Sequence, residues 1–222
     1  MNSQSIGEEA SSCGQDVPTP FAPGIRHRPG SGPEPSPPSA VTVFCTRAVE
    51  LLTGTLVQIS GDGALTVSAA VVQQFLKRYR TPLPWIITGA AVPYPPDIER
   101  AGIKLSRIIW FTPTDSQELG YTVDTLLGSG SFPLICVGLH DFSDFGPGSI
   151  ARFMHRARYT GATVLFTTSR PVMTPAPGIA YHLDIEADTG GPDPFRRRVR
   201  VRRSRIPLHG GSCHVTPSFF LL

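Results

Sequence analysis

No run of apolar residues in this 222-residue chain approaches the roughly 20 needed to cross a bilayer, and the N-terminal stretch carries no continuous apolar segment of the secretory-signal kind. Neither a membrane span nor export is therefore expected, and the sequence reads as cytoplasmic. Cysteine is sparse: Cys13, Cys45, Cys136 and Cys213 show no C-x-x-C spacing, which argues against a zinc site or a disulfide framework, and Cys136 lies in an apolar stretch suited to a buried thiol. Lysine is nearly missing, with Lys77 and Lys104 alone beside 18 arginines. A net charge of +3 is too small for the whole molecule to be drawn to nucleic acid, so any such binding would be local and salt-sensitive.

What is abundant is Pro and Gly, 23 and 22 residues, above ordinary usage for a globular chain with 40% hydrophobic residues. Residues 1–40 hold much of the excess and almost no aliphatic residues, so they read as a disordered leader. Residues 41–210 read as one domain and 211–222 as a short C-terminal tail. Within the domain, Val41–Leu52 reads as a short helix or strand, and Thr55–Ser60 as a central parallel strand, apolar or β-branched on both faces. Leu65–Arg80 reads as a helix with Lys77, Arg78 and Arg80 complementing its dipole. Strands follow at Pro84–Thr88, Ser106–Phe111, Leu134–Leu139 and Thr163–Thr168. They alternate with helices near Pro95–Ala101, at Ser116–Leu127 (ended by Gly128 and Gly130) and at Ser149–Thr160. Ala180–Ala187 and Arg196–Arg203 read as a hairpin. The expected fold is α/β: a mostly parallel sheet flanked by helices with an antiparallel C-terminal end, its ligand edge where strand carboxyl ends meet glycine turns.

The stretch Thr55–Val72 has the layout of a nucleotide-binding strand, glycine turn and helix without the residues that grip a nucleotide. A Walker phosphate loop requires G-x-x-x-x-G-K-[ST], the backbone cradling phosphate, the Lys on the β/γ-phosphates and the hydroxyl on Mg²⁺. Here Gly61 and Gly63 are too close together, the Lys position is Ala64 and the hydroxyl position is Leu65, with Thr66 and Ser68 following no lysine.

From about Thr53 to Arg205 the chain resembles the core of a RecA-type recombinase in segment order. Pro84–Glu118 resembles its second strand and the run that follows, Pro133–Gly138 the strand carrying the Walker B acid, and Gly161–Arg170 the strand ending in the sensor positions. The resemblance implies a RecA-like fold and places each ATP-handling position on an altered residue. The Walker B acid falls on Gly138, the water-orienting acid near Ala90, and the sensor pair near Thr168 and Ser169. Because phosphoryl transfer is almost wholly positioning and electrostatics, such losses together imply a pseudo-ATPase with no cofactor and no catalytic residue. Pro93–Pro113, with its proline-tyrosine turn, Ala101-Gly102 break and L-x-R-I-I-W strand, is similar to the ImuA proteins of bacterial mutagenesis cassettes, which lie among the relatives of RecA that have lost the site. The SulA cell-division inhibitors are more distant relatives. The ImuA resemblance implies a non-catalytic accessory role in DNA damage tolerance, translesion synthesis within an SOS-type response, with translesion polymerase components or a RecA-type recombinase as partners, DNA as a further contact, and no membrane. The alternative is a SulA-like inhibitor of cell division.

The second functional signal is Phe195–Arg205, which holds seven arginines: Arg196, Arg197, Arg198, Arg200, Arg202, Arg203 and Arg205. Alternation puts Val199 and Val201 on one face and Arg198, Arg200 and Arg202 on the other, as in a strand at the domain edge. That face would be either a protected edge or a surface for DNA or an acidic partner, with Arg152 and Arg156, which share a helical face, and Arg158 adding to it. His140, Asp141 and Asp144 follow a strand but sit in a Gly/Pro-rich loop, where turn chemistry is expected rather than a metal. Ser143 and Ser169 have no positioned base, and Trp85 and Trp110 are expected in the core.

Overall fold

Six successive residues buried on both faces define the first strand, β1 (Leu56–Gly61), and this is the signature of a strand enclosed within a parallel sheet. The computed structural model describes residues 48–88, 92–145, 148–172, 176–187, 197–203 and 212–215, all belonging to one unit, Pro37–Leu222. The leader, Ala90, Arg196 and Arg205 lie outside the described residues, as do the side chains of Arg197 and Arg203.

The other strands are β2 (Leu83–Ile87), β3 (Ile108–Phe111), β4 (Leu134–Leu139), β5 (Thr163–Thr168), β6 (Tyr181–Ala187), β7 (Arg197–Arg203) and β8 (Ser212–Val215). They form one eight-stranded sheet in the order β3-β2-β4-β5-β1-β6-β7-β8. Pairings are parallel from β3 to β6 and antiparallel from β6 to β8. The helices are α1 (Ala48–Leu52), α2 (Ala64–Arg78), α3 (Pro95–Arg100), α4 (Ser116–Ser129) and α5 (Ser149–Thr160). One face of the sheet packs Val57, Ile59, Trp85, Leu165, Leu183 and Val199 against α1, α2 and α3. The other packs Ile86, Ile135, Val137, Val164 and Phe166 against α4 and α5. This is the expected α/β fold with a mostly parallel sheet and an antiparallel C-terminal end.

Three sequence expectations are corrected by local physics. Helix α2 stops at Arg78 rather than Arg80, because Tyr79 is already extended (φ −110°, ψ 141°) ahead of Pro82. Helix α4 runs through Gly128 and ends on Gly130, whose φ of 61° supplies the left-handed cap. Most consequentially, β7 is not the edge strand. Residues Arg197–Arg200 pair with Val215–Ser212 of β8, so the sheet continues past residue 210 and its edge falls on a segment that reads as tail.

Candidate functional site

The chain turn from β1 into α2 is held by two glycines in conformations that L side chains rarely adopt, Gly61 at φ +95° and Gly63 at φ +98°. Asp62 and Gly63 are all that separates the strand from the helix, so there is no span of backbone to wrap a phosphate. Strand β6 closes the turn from the side: a Cβ at Gly61 would be driven into the Ile185 carbonyl oxygen and would come within 3.3 Å of Asp184 Oδ1. The amides of Thr66 and Val67 donate to the Gly63 carbonyl at 3.0 and 3.2 Å, and Asp62 adds a carboxylate where a phosphate would bring its own negative charge. No lysine can compensate. Lys77 is in the last turn of α2, about 20 Å along the helix from Ala64, and Lys104 lies beyond α3. Arg100 lines a small apolar pocket beside Leu65 and Thr66, but its guanidinium pairs with Asp97 at 3.0 Å.

The other positions converge on the same sheet edge. Gly138 of β4 lies opposite Thr167 of β5, and Ser60 of β1 opposite Thr168. Gly138 offers only backbone, its carbonyl accepting from Thr88 Oγ1 at 2.6 Å. Thr167 Oγ1 and Ser68 Oγ are hydrogen-bonded at 2.7 Å in the buried layer between β5 and α2. Thr168 Oγ1 donates to the Arg170 carbonyl at 3.1 Å. The hydroxyls of Ser68, Thr88, Thr167 and Thr168 thus have intramolecular roles in the fold, while Thr66 lines the small pocket and Ser169 is exposed.

Sequence reasoning missed the most unusual feature of the site, a buried polar cluster across β1, β6 and β7. Gln58, Ser60, His182 and Asp184 are all 0% exposed. Ser60 Oγ lies 3.0 Å from His182 Nε2 and donates to Asp184 Oδ1 at 3.1 Å; Asp184 Oδ2 in turn accepts from Arg202 Nη2 at 3.1 Å. The residue types are those of a hydrolytic triad, but the order is wrong for one. The serine sits between the other two, the carboxylate does not reach the far imidazole nitrogen, and the hydroxyl has no access to solvent. Burial holds the His182 imidazole below its ordinary pKa, opposed by Asp184 and reinforced by Arg202. The available signal was the matched alternation of His182, Asp184 and Glu186 on β6 with Arg198, Arg200 and Arg202 on β7.

That alternation decides what the arginines do. Val199 is buried and Val201 packs partly against the same core, as expected. On the opposite face Arg200 makes a two-pronged contact with Glu186, at 3.3 and 3.4 Å, while Arg202 is committed to Asp184. The strand is therefore an internal charge ladder, with acids on β6 facing bases on β7. On α5, Arg152 and Arg156 do share a face, and both turn toward Asp124 of α4, their Nε atoms 3.6 and 3.1 Å from its Oδ1; Arg156 also donates to the Asp124 carbonyl at 3.1 Å. Arg158 on the same helix is exposed.

The loop after β4 behaves as turn chemistry: Asp141 Oδ1 accepts from the Ser143 amide at 3.0 Å, starting a short 3-10 turn at Phe142–Asp144. His140 and Asp144 line a polar pocket of about 400 Å³ with Thr88, Thr114 and Asp115. Its helix terminus is already capped, since Asp115 Oδ1 accepts from the Glu118 amide at 2.7 Å. Among the described residues no group of three potential ligands could hold a metal ion. Trp85 is fully buried and stacks on half-buried Trp110, ring centres 5.7 Å apart. Burial pushes the Cys136 thiol far above its ordinary pKa. No helix is long and apolar enough to cross a membrane among the described residues.

The fold and site together define an α/β protein whose first strand passes into its helix through a two-residue turn, Asp62-Gly63, packed against strand β6. No protein-family model matches the chain, and no curated protein matches it in sequence.

Proposed function

We propose that this chain is a non-catalytic, RecA-like accessory protein of DNA damage tolerance, acting through contacts with translesion polymerase components or a RecA-type recombinase. The observation that carries the pseudo-ATPase reading is the two-residue turn at Asp62-Gly63, sealed by the Ile185 carbonyl and out of reach of any lysine. Its support is that the segments resembling phosphate loop, acid strand and sensor strand meet at one sheet edge, each with its chemistry replaced. A domain of this kind retains the surfaces of a RecA-like fold after its nucleotide site has gone.

Two further observations favour protein contacts over DNA as the main mode of action. Arg200, Arg202, Arg152 and Arg156 are engaged by Glu186, Asp184 and Asp124, which reduces the charge available to phosphates. The segment resembling ImuA begins at a turn that presents Val92 and Tyr94 to solvent, Tyr94 at 62% exposure, above the apolar pocket formed by Leu65, Ala69, Pro93, Ile98 and Ala101. Amphipathic aromatics beside an apolar recess suit protein recognition. Deleting the gene tests the role: damage-induced mutagenesis should fall while overexpression leaves division normal. Unchanged mutagenesis together with filamentous cells on overexpression would replace this reading by the SulA-like one.

A further inference from the structure

Strand β1 carries a glutamine where a core strand ordinarily carries an aliphatic residue. Gln58 is wholly buried, and neither its amide nitrogen nor its amide oxygen has a protein partner. Its neighbours in register are Phe166 on β5 and His182 on β6. The first is apolar, so the polar side of its environment is the histidine.

The hydrogen-bond network fixes the state of that histidine. Ser60 has one hydroxyl proton, and the Asp184 carboxylate, which can only accept, takes it at 3.1 Å. Toward His182, 3.0 Å away, Ser60 Oγ is therefore an acceptor, and Nε2 must carry a proton to donate. Donation by Nε2 leaves the second proton unneeded, and the neutral imidazole agrees with the direction of its pKa, lowered by burial, opposed by Asp184 and reinforced by Arg202. Nδ1 is thus a bare lone pair, also buried and also without a protein partner. An amide with neither its donor nor its acceptor engaged and an acceptor without a donor thus belong to register-paired residues of adjacent strands. Buried polar groups left in that condition are rare, and water is the usual remedy where two or more meet.

We propose that Gln58 and His182 form a binding site for one ordered internal water, which donates to His182 Nδ1 and accepts from Gln58 Nε2. A water suits the site because it supplies both roles at once and carries no charge. A cation is disfavoured by Arg202, and an anion finds a single amide. The hydrated pair completes a continuous polar path from β1 through His182, Ser60 and Asp184 to Arg202 on β7, so that the strand leading into the emptied turn is tied to the arginine strand. The inference is independent of the proposed function, because it uses only the buried network.

A high-resolution crystal structure of the full chain tests the site, supported in solution by water-to-protein nuclear Overhauser contacts at the Gln58 side-chain amide. The expected result is a fully occupied water within hydrogen-bonding distance of both Gln58 Nε2 and His182 Nδ1. Replacing Gln58 by Leu should remove that water and lower the melting temperature by about 4 °C, because Nδ1 loses its donor. A direct Gln58–His182 hydrogen bond with no water between them would overturn the proposal. So would a Gln58→Leu protein that melts higher than the parent, since relief of two orphaned groups would then be the effect. Should that variant not fold, the density and the Overhauser contacts of the parent protein decide alone.

Discussion

Replacing Arg202 by Met separates a structural arginine from a binding one. The guanidinium is 23% exposed and its partner Asp184 is 0% exposed, so the two ends of the pair respond differently to its loss. Arg202 could recover water; Asp184 could not, and would be left with the Ser60 hydroxyl as its described donor. Breaking a buried pair from one side costs about 3–5 kcal/mol, and the part exposure of the arginine places the expected loss near about 3 kcal/mol. That is a large fraction of a typical folding free energy of about 5–15 kcal/mol. The control is Arg100→Ala, whose pair with Asp97 is 73% and 53% exposed and should be worth under about 0.5 kcal/mol. Urea denaturation followed by far-UV circular dichroism and by tryptophan fluorescence measures both. The double variant Asp184→Leu, Arg202→Met should recover most of the loss, because no uncompensated charge remains. If Arg202→Met unfolds within about 0.5 kcal/mol of the parent and instead loses affinity for single-stranded DNA, the internal charge ladder is the wrong account of β7.

Gly61→Ala should be far more damaging than Gly148→Ala, although both glycines have positive φ, at +95° and +80°. A Cβ at Gly148 meets nothing within 4 Å and costs only the left-handed backbone, about 1–2 kcal/mol; at Gly61 the Ile185 carbonyl must also move. Equal losses in denaturant would mean that β6 does not seal the turn. His182 makes stability depend on pH in a defined direction. Its folded pKa lies below the ordinary 6.5, so the unfolded chain binds more protons between the two values, and stability is full above 6.5 and declines as the pH falls through that window. Melting temperatures from pH 7.5 to 5.5 should therefore fall more steeply for the parent than for His182→Gln, and identical slopes would contradict the buried neutral imidazole.

Strands and helices bounded by strong punctuation were readable to the residue. β4 follows Pro133, β5 follows Gly161, and α5 lies between Gly148 and Gly161; the expected and observed bounds of all three coincide. Alternation on β7 correctly separated the valines from the arginines. It could not reveal which strand would lie outside it, because β8 sits in a short Gly- and Ser-containing segment with little β signal. The arginine face therefore read as outward when acids on β6 cover part of it. The Ser60–His182 contact joins residues 122 positions apart and depends on the β1–β6 register, which no local pattern encodes. Gln58 and Ser60 are polar residues in a strand expected to be buried on both faces, and that conflict between type and position, with the charged alternation on β6 and β7, is the trace of the cluster in the sequence.

The central claim is that the strand-turn-helix at Gly61–Thr66 no longer receives a nucleotide. Titration of the purified full chain with a fluorescent ATP analogue in the presence of Mg²⁺ tests it most directly, with Asp62→Lys as a companion that restores a positive charge to the turn. Neither protein should show saturable binding, because the two-residue turn leaves no loop of backbone amides to wrap a phosphate whatever the charge. Micromolar binding by the parent chain, competed by unlabelled ATP and weakened by substitutions between Gly61 and Thr66, would contradict the account.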